Sequence, residues 1–413
     1  MTDNPTRFDI AISGASFAGL ALARGLSQAL GEGLRIAVID RAVAPQTAAA
    51  DDSRAFAIWA GAKAVLESLG VWQHLADDAE AMTTIEISDS ALSDGVRPTR
   101  LTYDAKTADG TPSAYMVPSA VLHRALYKTV ATDAAITWIA PAEASGLTLG
   151  DYAATIALND GRAIEASLCV AAEGRQSKLR QAAGIKTMGW GYAQRGIVAT
   201  VQFERPHNGV AIQHFLPGGP FAVLPLKDNR ACITWSSRDA EAARVLLLDD
   251  AAFLEEIDNR IGGRFGAITL VGKRQSWPLD VKMARDLTAK RFALIGDAAH
   301  GVHPIAGQGV NLAFRDVAAL VEVLTDAARI GLDFGNGPAL ERYARWRRFD
   351  STLSAAAYDG LNRVFGVDNA IFRAARGAGL GIVDQIPQLK QMIMTEAAGL
   401  SGDLPKLVRG QRV

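Results

Sequence analysis

Three observations on this sequence predict an α/β fold. A short apolar run, a glycine-rich turn and a helical pattern open the chain at Phe8–Leu26. Strand-like runs separated by turn signals fill the stretch from about Gly189 to Leu279. After Gly296 the pattern becomes mostly helical to the end. The first implies a βαβ nucleotide-binding unit, the second an inserted antiparallel sheet, the third a helical C-terminal region. At 413 residues the chain exceeds a single core, so two domains are expected.

The elements follow in order. Phe8 to Ile12 reads as a buried strand, and Leu20, Leu22 and Leu26 take helical spacings after it. "LRIAVIDRA" is a second strand ending at Asp40. Pro45 to Asp52 is polar and alanine-rich and reads as a loop. "SRAFAIWAGAKAVLESLGVW" reads as one amphipathic helix ending near Gly70, and Met82 to Tyr115 as short strands. "SAVLHRALYKTV" is a helix with Ser119 as its expected cap. Asn159 to Gly161 gives a hairpin turn, and a buried strand, Leu168 to Ala172, comes after the hairpin. "GIVATVQFE", "AIQHFLP", "FAVLPL" and "ACITWSS" are the strands of the inserted sheet, interrupted by a helix over about Ala251 to Gly262.

Composition narrows the function. The chain is 49% hydrophobic and 21% charged with a formal net charge of -1, so no global basic field attracts nucleic acid. Cys169 and Cys232 lie in apolar runs and read as buried thiols of a reducing compartment, not a disulfide. No basic, apolar, small-residue leader opens the sequence, and no apolar run reaches the roughly 20 residues a bilayer span needs. The expected location is cytoplasmic, with a peripheral position on the inner membrane compatible with it.

Gly14-Ala15-Ser16-Phe17-Ala18-Gly19 fits G-x-G-x-x-G with Ser16 at the second glycine position. The first glycine allows the turn, the second a close approach to pyrophosphate, and the third helix–strand packing. Ser16 is small, and its hydroxyl faces a phosphate readily. The helix N-terminus adds free N–H groups and the positive dipole end. Asp40 lies about 20 residues on, where an acid accepts from ribose hydroxyls. A packing turn is the plain alternative for an isolated loop of this kind. With strand, helix and acid in place, nucleotide binding is the better reading, and Asp40 does not choose between FAD and NAD.

Two later segments choose. "LCVAAEGRQSKLR" puts Glu173-Gly174 at a strand end, followed by Ser177 and Arg180. "LIGDAAHGVHPIAGQGVNLAFRDV" supplies Gly296-Asp297, then Pro304, Gly307-Gln308-Gly309 and Asn311. Glycines at Gly307 and Gly309 let a backbone lie flat against a planar ring, and a helix starting near Asn311 aims its dipole at an edge that gains negative charge. Glycine loop, acid-glycine and G-D with P-x-x-G-Q-G-x-N-L, in that order, resemble the class A flavoprotein monooxygenases, the relatives of para-hydroxybenzoate hydroxylase. Within them the chain is most similar to the ubiquinone-biosynthesis aromatic hydroxylases. "DSRAFAIWAGAKAVLESLGVW", "FLPGGPFAVLPL", "WPLDVKMA" and "LKQMIMTEAAGLSGDLPKLVRG" share the likeness, which covers nearly the whole chain.

The resemblance implies residue roles. Gly14, Ser16 and Gly19 would hold the FAD pyrophosphate and Asp40 the adenosine ribose. Arg54 and Arg124 would contact the phosphate or ribityl side, and Gly296-Asp297 the ribityl and phosphate region. Pro304 and Gly307-Gln308-Gly309 would lie against the isoalloxazine, before the helix at Asn311. Glu173-Gly174 matches an Asp-Gly motif linked to FAD and the reduced nicotinamide. Ser16 for glycine, Asp40 for glutamate and Glu173 for aspartate are the departures. The implied fold is a Rossmann-like FAD-binding domain (1–80, 101–188, 280–345) with an inserted antiparallel β-sheet substrate domain (81–100, 189–279) and a helical region (346–413).

The implied activity is FAD-dependent hydroxylation of the ring of a polyprenylated phenol in ubiquinone biosynthesis, with NAD(P)H and dioxygen, through a flavin C4a-hydroperoxide. No catalytic acid, base or nucleophile is identified. Two other readings stand beside it. A hydroxylase of a small soluble aromatic acid needs a buried cation in the inserted sheet, for which Arg195, Arg205 and Arg230 are available. A non-catalytic flavoprotein scaffold of a biosynthetic complex is the other. His300 and His303 lack a third ligand at metal spacing and are expected to pack or hydrogen-bond in the cofactor loop. His214 and Trp235 are expected in the core, with a substrate wall as the alternative. Arg342, Arg345, Arg347 and Arg348 are expected on a solvated helix face. The tail from Phe365 to Leu407 carries Phe372, Leu380, Ile382, Ile386, Leu389, Met392, Ile393 and Met394 among basic residues. These apolar residues suit packing on the FAD domain or an oligomer interface; a membrane surface or contact with other ubiquinone-biosynthesis proteins is the other reading.

Overall fold

The computed structural model describes residues 6–31, 33–42, 52–92, 94, 97–304, 307–366 and 369–413. Residues 45–51 of the expected loop lie outside the described residues. Along the chain run β1 (Thr6–Ser13), α1 (Phe17–Leu30), β2 (Ile36–Ile39), β3 (Ala55–Trp59), α2 (Ala60–Ser68), β4 (Glu80–Ala81), β5 (Thr84–Asp89), β6 (Leu101–Asp104) and β7 (Ala114–Pro118). Next come α3 (Ser119–Val130), β8 (Ile136–Ile139), β9 (Ala144–Leu149), β10 (Ala154–Leu158), β11 (Ala163–Ala171), α4 (Lys178–Ala182), β12 (Thr187–Phe203), β13 (Val210–Leu216), β14 (Gly219–Leu226) and β15 (Arg230–Arg238). The chain closes with α5 (Asp239–Leu246), α6 (Asp250–Ile261), β16 (Ile268–Ala284), β17 (Thr288–Ala289), β18 (Phe292–Leu294), β19 (His300–Gly301), α7 (Gly309–Arg329), α8 (Gly337–Gly366), α9 (Ala370–Gln385) and α10 (Pro387–Ala397).

The first sheet has a parallel core in the order β18–β11–β1–β2–β8, extended by β17 antiparallel to β18 and by β10 and β9 antiparallel beside β11. Its central strands β2 and β18 are buried along their whole length and accordingly read as continuous apolar runs. α1 and α7 pack there through Leu20, Leu22, Leu26, Val317 and Leu320, all buried. The second sheet runs β19–β16–β12–β15–β14–β13–β5–β6 and is antiparallel apart from the β13–β5 pair. Its outer face packs on α5 and α6 through Phe221, Trp235, Val245, Phe253 and Ile257. The inner face looks back toward the first sheet. A small sheet, β3–β7–β4, lies between them.

The α/β class with an inserted antiparallel sheet is as expected, and local details differ. The single helix expected over Ser53 to Trp72 starts with β3, because "AFAIW" pairs with β7 (Phe56 opposite Val117, Ile58 opposite Tyr115). Pro118, not Ser119, caps α3 and does so without a side-chain bond; Ser119 is the first residue of the helix. The hairpin arm and the buried strand at Leu168 are one continuous strand, β11. Leu101–Asp104, grouped by sequence with the nucleotide-binding pieces, hydrogen-bonds to β5 in the second sheet. Both cysteines are buried free thiols, and burial pushes that of Cys232 up to about 11.

Candidate functional site

A cavity of about 1960 Å³ lies between the two large sheets and is closed by α8–α10. Small-molecule pockets are usually about 300–1,000 Å³, so this space suits a dinucleotide and a second ligand together. Gly14, Ser16, Asp40, Arg54, Glu173, Gly174, Gly296, Asp297, Pro304, Gly307, Gln308 and Gly309 all line it. Segments far apart in sequence are therefore brought to one wall.

The glycine loop is built by contact. Gly14 has φ +107°, and a Cβ there would lie 2.5 Å from the Ala172 carbonyl oxygen. A Cβ at Gly19 would lie 1.9 Å from the Gly14 oxygen, so Gly19 shapes the loop from behind and does not line the cavity. Ser16 caps α1 with its backbone only, leaving an exposed hydroxyl at the helix N-terminus. Asp40 follows β2 and accepts from the Ala15 amide at 2.7 Å and the Ala42 amide at 2.8 Å. It ties the loop to the second strand while lining the cavity.

Glu173 shows why the longer acid fits. One oxygen accepts from Ser13 Oγ at 2.9 Å; the other accepts from Ser177 Oγ at 2.6 Å and the Leu179 amide at 3.1 Å. The added methylene lets one carboxylate bridge β1 and the start of α4. Arg180, 2% exposed, donates to the carbonyls of Ala298 at 2.7 Å and Arg175 at 2.8 Å, joining this segment to the Gly296-Asp297 turn. Arg175 pairs with Asp297 at 3.2 Å, donates to the Val302 carbonyl at 2.8 Å and also pairs with Asp280. Arg54 forks onto Asp52 with both bonds at 2.8 Å and faces the same wall. Asp52 is held below its ordinary value: burial pushes it up, and hydrogen bonds from Arg54 and Ser119 outweigh that.

Beneath Gly296-Asp297 lies a buried ionic network. Asp316, on α7, accepts from the Gly296 amide at 2.9 Å, from His300 Nε2 at 2.6 Å and from Arg347 Nε at 2.7 Å. Arg347 also pairs with Asp350, which Arg315 reaches at 2.9 Å. Burial pushes the His300 imidazole down, but Asp316 more than offsets it and holds His300 above its ordinary value. Burial likewise pushes Asp316 up, and His300 and Arg347 bring it below the ordinary carboxylate range. Arg347 is thus buried at 2% and not on the solvated face, where Arg342, Arg345 and Arg348 do lie. His303 is buried against Tyr192 with ring centroids 5.1 Å apart, and burial pulls it down to about 4. No group of three or more His, Cys, Asp or Glu among the described residues is placed to hold a metal ion.

α7 begins at Gly309, two residues before Asn311. Its first backbone bond runs from the Leu312 amide to the Gln308 oxygen at 3.0 Å, which leaves the Gly309 and Val310 amides at the cavity wall. A Cβ at Gly309 would meet nothing within 4 Å, so bare backbone faces open cavity there. Asn311 does not line the cavity. It is 5% exposed, accepts from the Trp59 amide at 3.0 Å and donates to the oxygens of Ala57 at 2.8 Å and Gly307 at 2.9 Å. Arg124 is not brought to the site: it is exposed on α3 and absent from the lining, whereas its neighbours Ala120 and His123 line the cavity. Glycine loop, acid after β2, open α7 N-terminus and bare backbone at Gly309 fit FAD.

The other half of the cavity is mostly apolar. Ala211, Phe215, Ala222, Leu224, Val198 and Trp277 form its floor on the second sheet. Leu361, Phe365, Leu380, Val383, Met392 and Met394 close it from α8–α10. Arg376 on α9 anchors this cap through a buried fork to Asp89 at 2.8 and 3.1 Å. His214 and Trp235 are core residues outside the lining; burial pulls His214 down to about 4, and Arg260 lies 3.8 Å over the Trp235 ring. Arg195, Arg205 and Arg230 do not line the cavity. Sequence reasoning did not find Arg175, Arg180 as a carbonyl clamp, Asp280 or Asp316. The one acid within the mostly apolar run Leu312–Val321 is the signal that marks Asp316.

Comparisons with known proteins agree with this geometry. The FAD binding domain family matches residues 7–333. The chain is 37% identical over 407 residues to ubiquinone hydroxylase UbiL of Rhodospirillum rubrum, covering 97% of this chain and 92% of that protein. It is 33% identical to 3-demethoxyubiquinol 3-hydroxylase of Escherichia coli, covering 97% of this chain and 100% of the relative. Among solved structures, p-nitrophenol 4-monooxygenase PnpA from Pseudomonas putida has the same fold, with TM-score 0.79 at 17% identity over 97% of this chain and 99% of that one.

Proposed function

Because the chain belongs to the family of FAD-dependent hydroxylases of ubiquinone biosynthesis, we propose that its own substrate is a polyprenylated phenol, hydroxylated on the ring with NAD(P)H and dioxygen as co-substrates. One observation carries this reading. The cations lining the cavity, Arg41, Arg54, Arg175, Lys178 and Lys282, belong to or abut the nucleotide loops. Strands β13–β15 and helices α8–α10 contribute none among the described residues. A floor and cap of this kind suit a neutral ring with an apolar tail. A small aromatic acid would bury an unpaired carboxylate there at several kcal/mol.

The 1–80, 101–188 and 280–345 pieces, without Leu101–Asp104 of the second sheet, would hold FAD, 81–100 and 189–279 with Leu101–Asp104 the aromatic ring, and 346–413 the cap. In this assignment Gly14 and Ser16 with the α1 N-terminus bind the pyrophosphate, shaped by Gly19, and Asp40 accepts from the adenosine ribose. Arg54 and Gly296-Asp297 hold the phosphate and ribityl side, with Glu173-Gly174 bracing them from behind. Pro304 and Gly307-Gln308-Gly309 lie along the isoalloxazine, and the Gly309 and Val310 amides stabilise negative charge at its edge. FAD, when bound, accepts reducing equivalents from NAD(P)H and activates dioxygen for transfer of one oxygen atom to the ring. The apolar floor and cap keep water from the reacting centre. Purified holoprotein should consume NAD(P)H faster with a prenylphenol than with 4-hydroxybenzoate, and the prenylphenol should gain one hydroxyl. Equal consumption with both and no hydroxylated product would favour the flavoprotein scaffold.

The cap also suits a membrane surface. Leu361, Met392 and Ile393 line the cavity and are 40%, 64% and 38% exposed, so its apolar mouth is continuous with the outer face. Ile371, Phe372 and Ile382, at 80%, 60% and 58% exposed, extend that face. No helix among the described residues is long and apolar enough to cross a membrane. Replacing Ile371 and Phe372 with glutamate should abolish vesicle flotation and spare FAD content. Unchanged flotation would leave the patch to a protein partner or a second copy of the chain.

A further inference from the structure

The cavity-facing floor carries few hydrogen-bonding side chains, and two of them share one row. Gln213 on β13 pairs with Ala222 on β14, Ala222 with Thr234 on β15, and Thr234 with Val198 on β12. All four line the cavity. Adjacent strands lie about 4.8 Å apart, so Gln213 and Thr234 stand roughly 10 Å apart with a single methyl between them. Both are partly exposed, while their neighbours Ile212, His214, Ile233 and Trp235 are buried, as alternation on a sheet with an open inner face requires.

The row has a defined orientation. Thr200 on β12 and Cys232 on β15 donate to the Ser53 oxygen just before β3, whereas Phe215 on β13 stacks on Phe365 of α8 with ring centroids 3.8 Å apart. Ala57 is what a Cβ at Gly307 would meet at 3.1 Å. The Thr234 end therefore borders the loop assigned to the isoalloxazine, and the Gln213 end lies away from it. Gln213 makes only a long bond, Nε2 to the Phe221 oxygen at 3.4 Å, and its amide retains capacity for a ligand.

We infer that Gln213, Ala222 and Thr234 determine which ring the enzyme accepts. A planar ring lies over Ala222, with oxygen substituents at opposite edges held by the Thr234 hydroxyl beside the flavin loop and by the Gln213 amide. This selects a neutral phenol that carries a second hydroxyl or alkoxy oxygen across the ring. It excludes a carboxylate at either edge, because no cation stands in the row. The inference rests on the prenylphenol reading and adds the residues that read the head group.

The test uses holoprotein with oxidised FAD and a short-chain prenylphenol bearing two ring oxygens, followed by the change in flavin absorbance on binding. Thr234→Val and Gln213→Leu keep shape and lose one hydrogen bond each. Each should weaken binding about two- to twelvefold and raise the NAD(P)H consumed per hydroxylated product. Thr234→Ser should restore the parent values, and Ala222→Leu should exclude the ring while FAD content and melting temperature persist. A prenylphenol lacking the second oxygen should bind parent and Gln213→Leu alike. Parent-like binding and coupling in both Thr234→Val and Gln213→Leu overturns the row while leaving the prenylphenol reading intact. A parent that neither binds nor hydroxylates the compound overturns both.

Discussion

Replacing Asp316 with asparagine should loosen the cofactor turn from beneath. The carboxylate takes the Gly296 amide and His300 on one oxygen and Arg347 on the other, all at 2.6–2.9 Å. An asparagine oxygen can keep the first pair, but its NH2 then faces the Arg347 Nε–H. The guanidinium, 2% exposed, is left with Asp350 alone. Removing one partner of a buried pair costs about 3–5 kcal/mol, and the remaining Asp350 argues for the lower figure. Unfolding entropy near 2.1 cal/mol/K per residue over 413 residues is about 0.9 kcal/mol/K, so about 3 kcal/mol lowers the melting temperature by about 3–4 °C. Because Gly296 precedes Asp297, FAD affinity should fall as well. Differential scanning fluorimetry and flavin fluorescence titration measure both. A variant that melts within about 1 °C of the parent and binds FAD equally would refute the idea that this network holds the turn.

Other expectations follow from the same contacts. Gly309→Ala should leave apoprotein stability almost unchanged, since its Cβ meets nothing within 4 Å, yet weaken FAD binding; Gly19→Ala, 1.9 Å from the Gly14 oxygen, should damage both, and scans of apo- and holoprotein separate the two. Asp297→Ala removes an acceptor that is worth about 1.5–3 kcal/mol if it is charge-assisted, so FAD affinity should fall about tenfold or more; identical titration curves would remove Asp297 from the site. Glu173→Asp is too short to bridge Ser13, Ser177 and Leu179 together, and stopped-flow reduction by NADH and NADPH should change more than FAD retention. His300 has a raised value, so its contribution to stability is complete below the unfolded value near 6.5 and is lost as pH rises through the higher folded value. Melting temperature should decline over that alkaline window in the parent, and His300→Gln should flatten the decline.

Much of the nucleotide wall was legible because its rules are local. A turn needing φ above zero, a helix N-terminus and an acid after the next strand all act within about 25 residues. Tertiary contacts decided the misread positions. "AFAIW" suits a helix or a strand by composition, and only β7 beside it selects the strand. Arg347 shares its sequence neighbourhood with Arg342, Arg345 and Arg348, yet Leu340, Tyr343, Ala344, Arg347 and Ser351 form one buried stripe at helical spacing, which places Arg347 inward. The same reasoning turns Arg124 outward, opposite Leu122, Ala125 and Leu126. Asn311 spends its polar atoms on the scaffold behind the cavity, and Glu173 lines the cavity while bonding Ser13, Ser177 and Leu179, a division that no spacing along the chain encodes.

The most direct measurement of the central claim is the fate of dioxygen. Holoprotein, NAD(P)H and a prenylphenol under isotopically labelled dioxygen should yield a ring-hydroxylated product carrying one labelled atom, with none from labelled water. Product without the label, or NAD(P)H consumption that yields only hydrogen peroxide with every prenylphenol tested, would contradict the assignment of this cavity to ring hydroxylation.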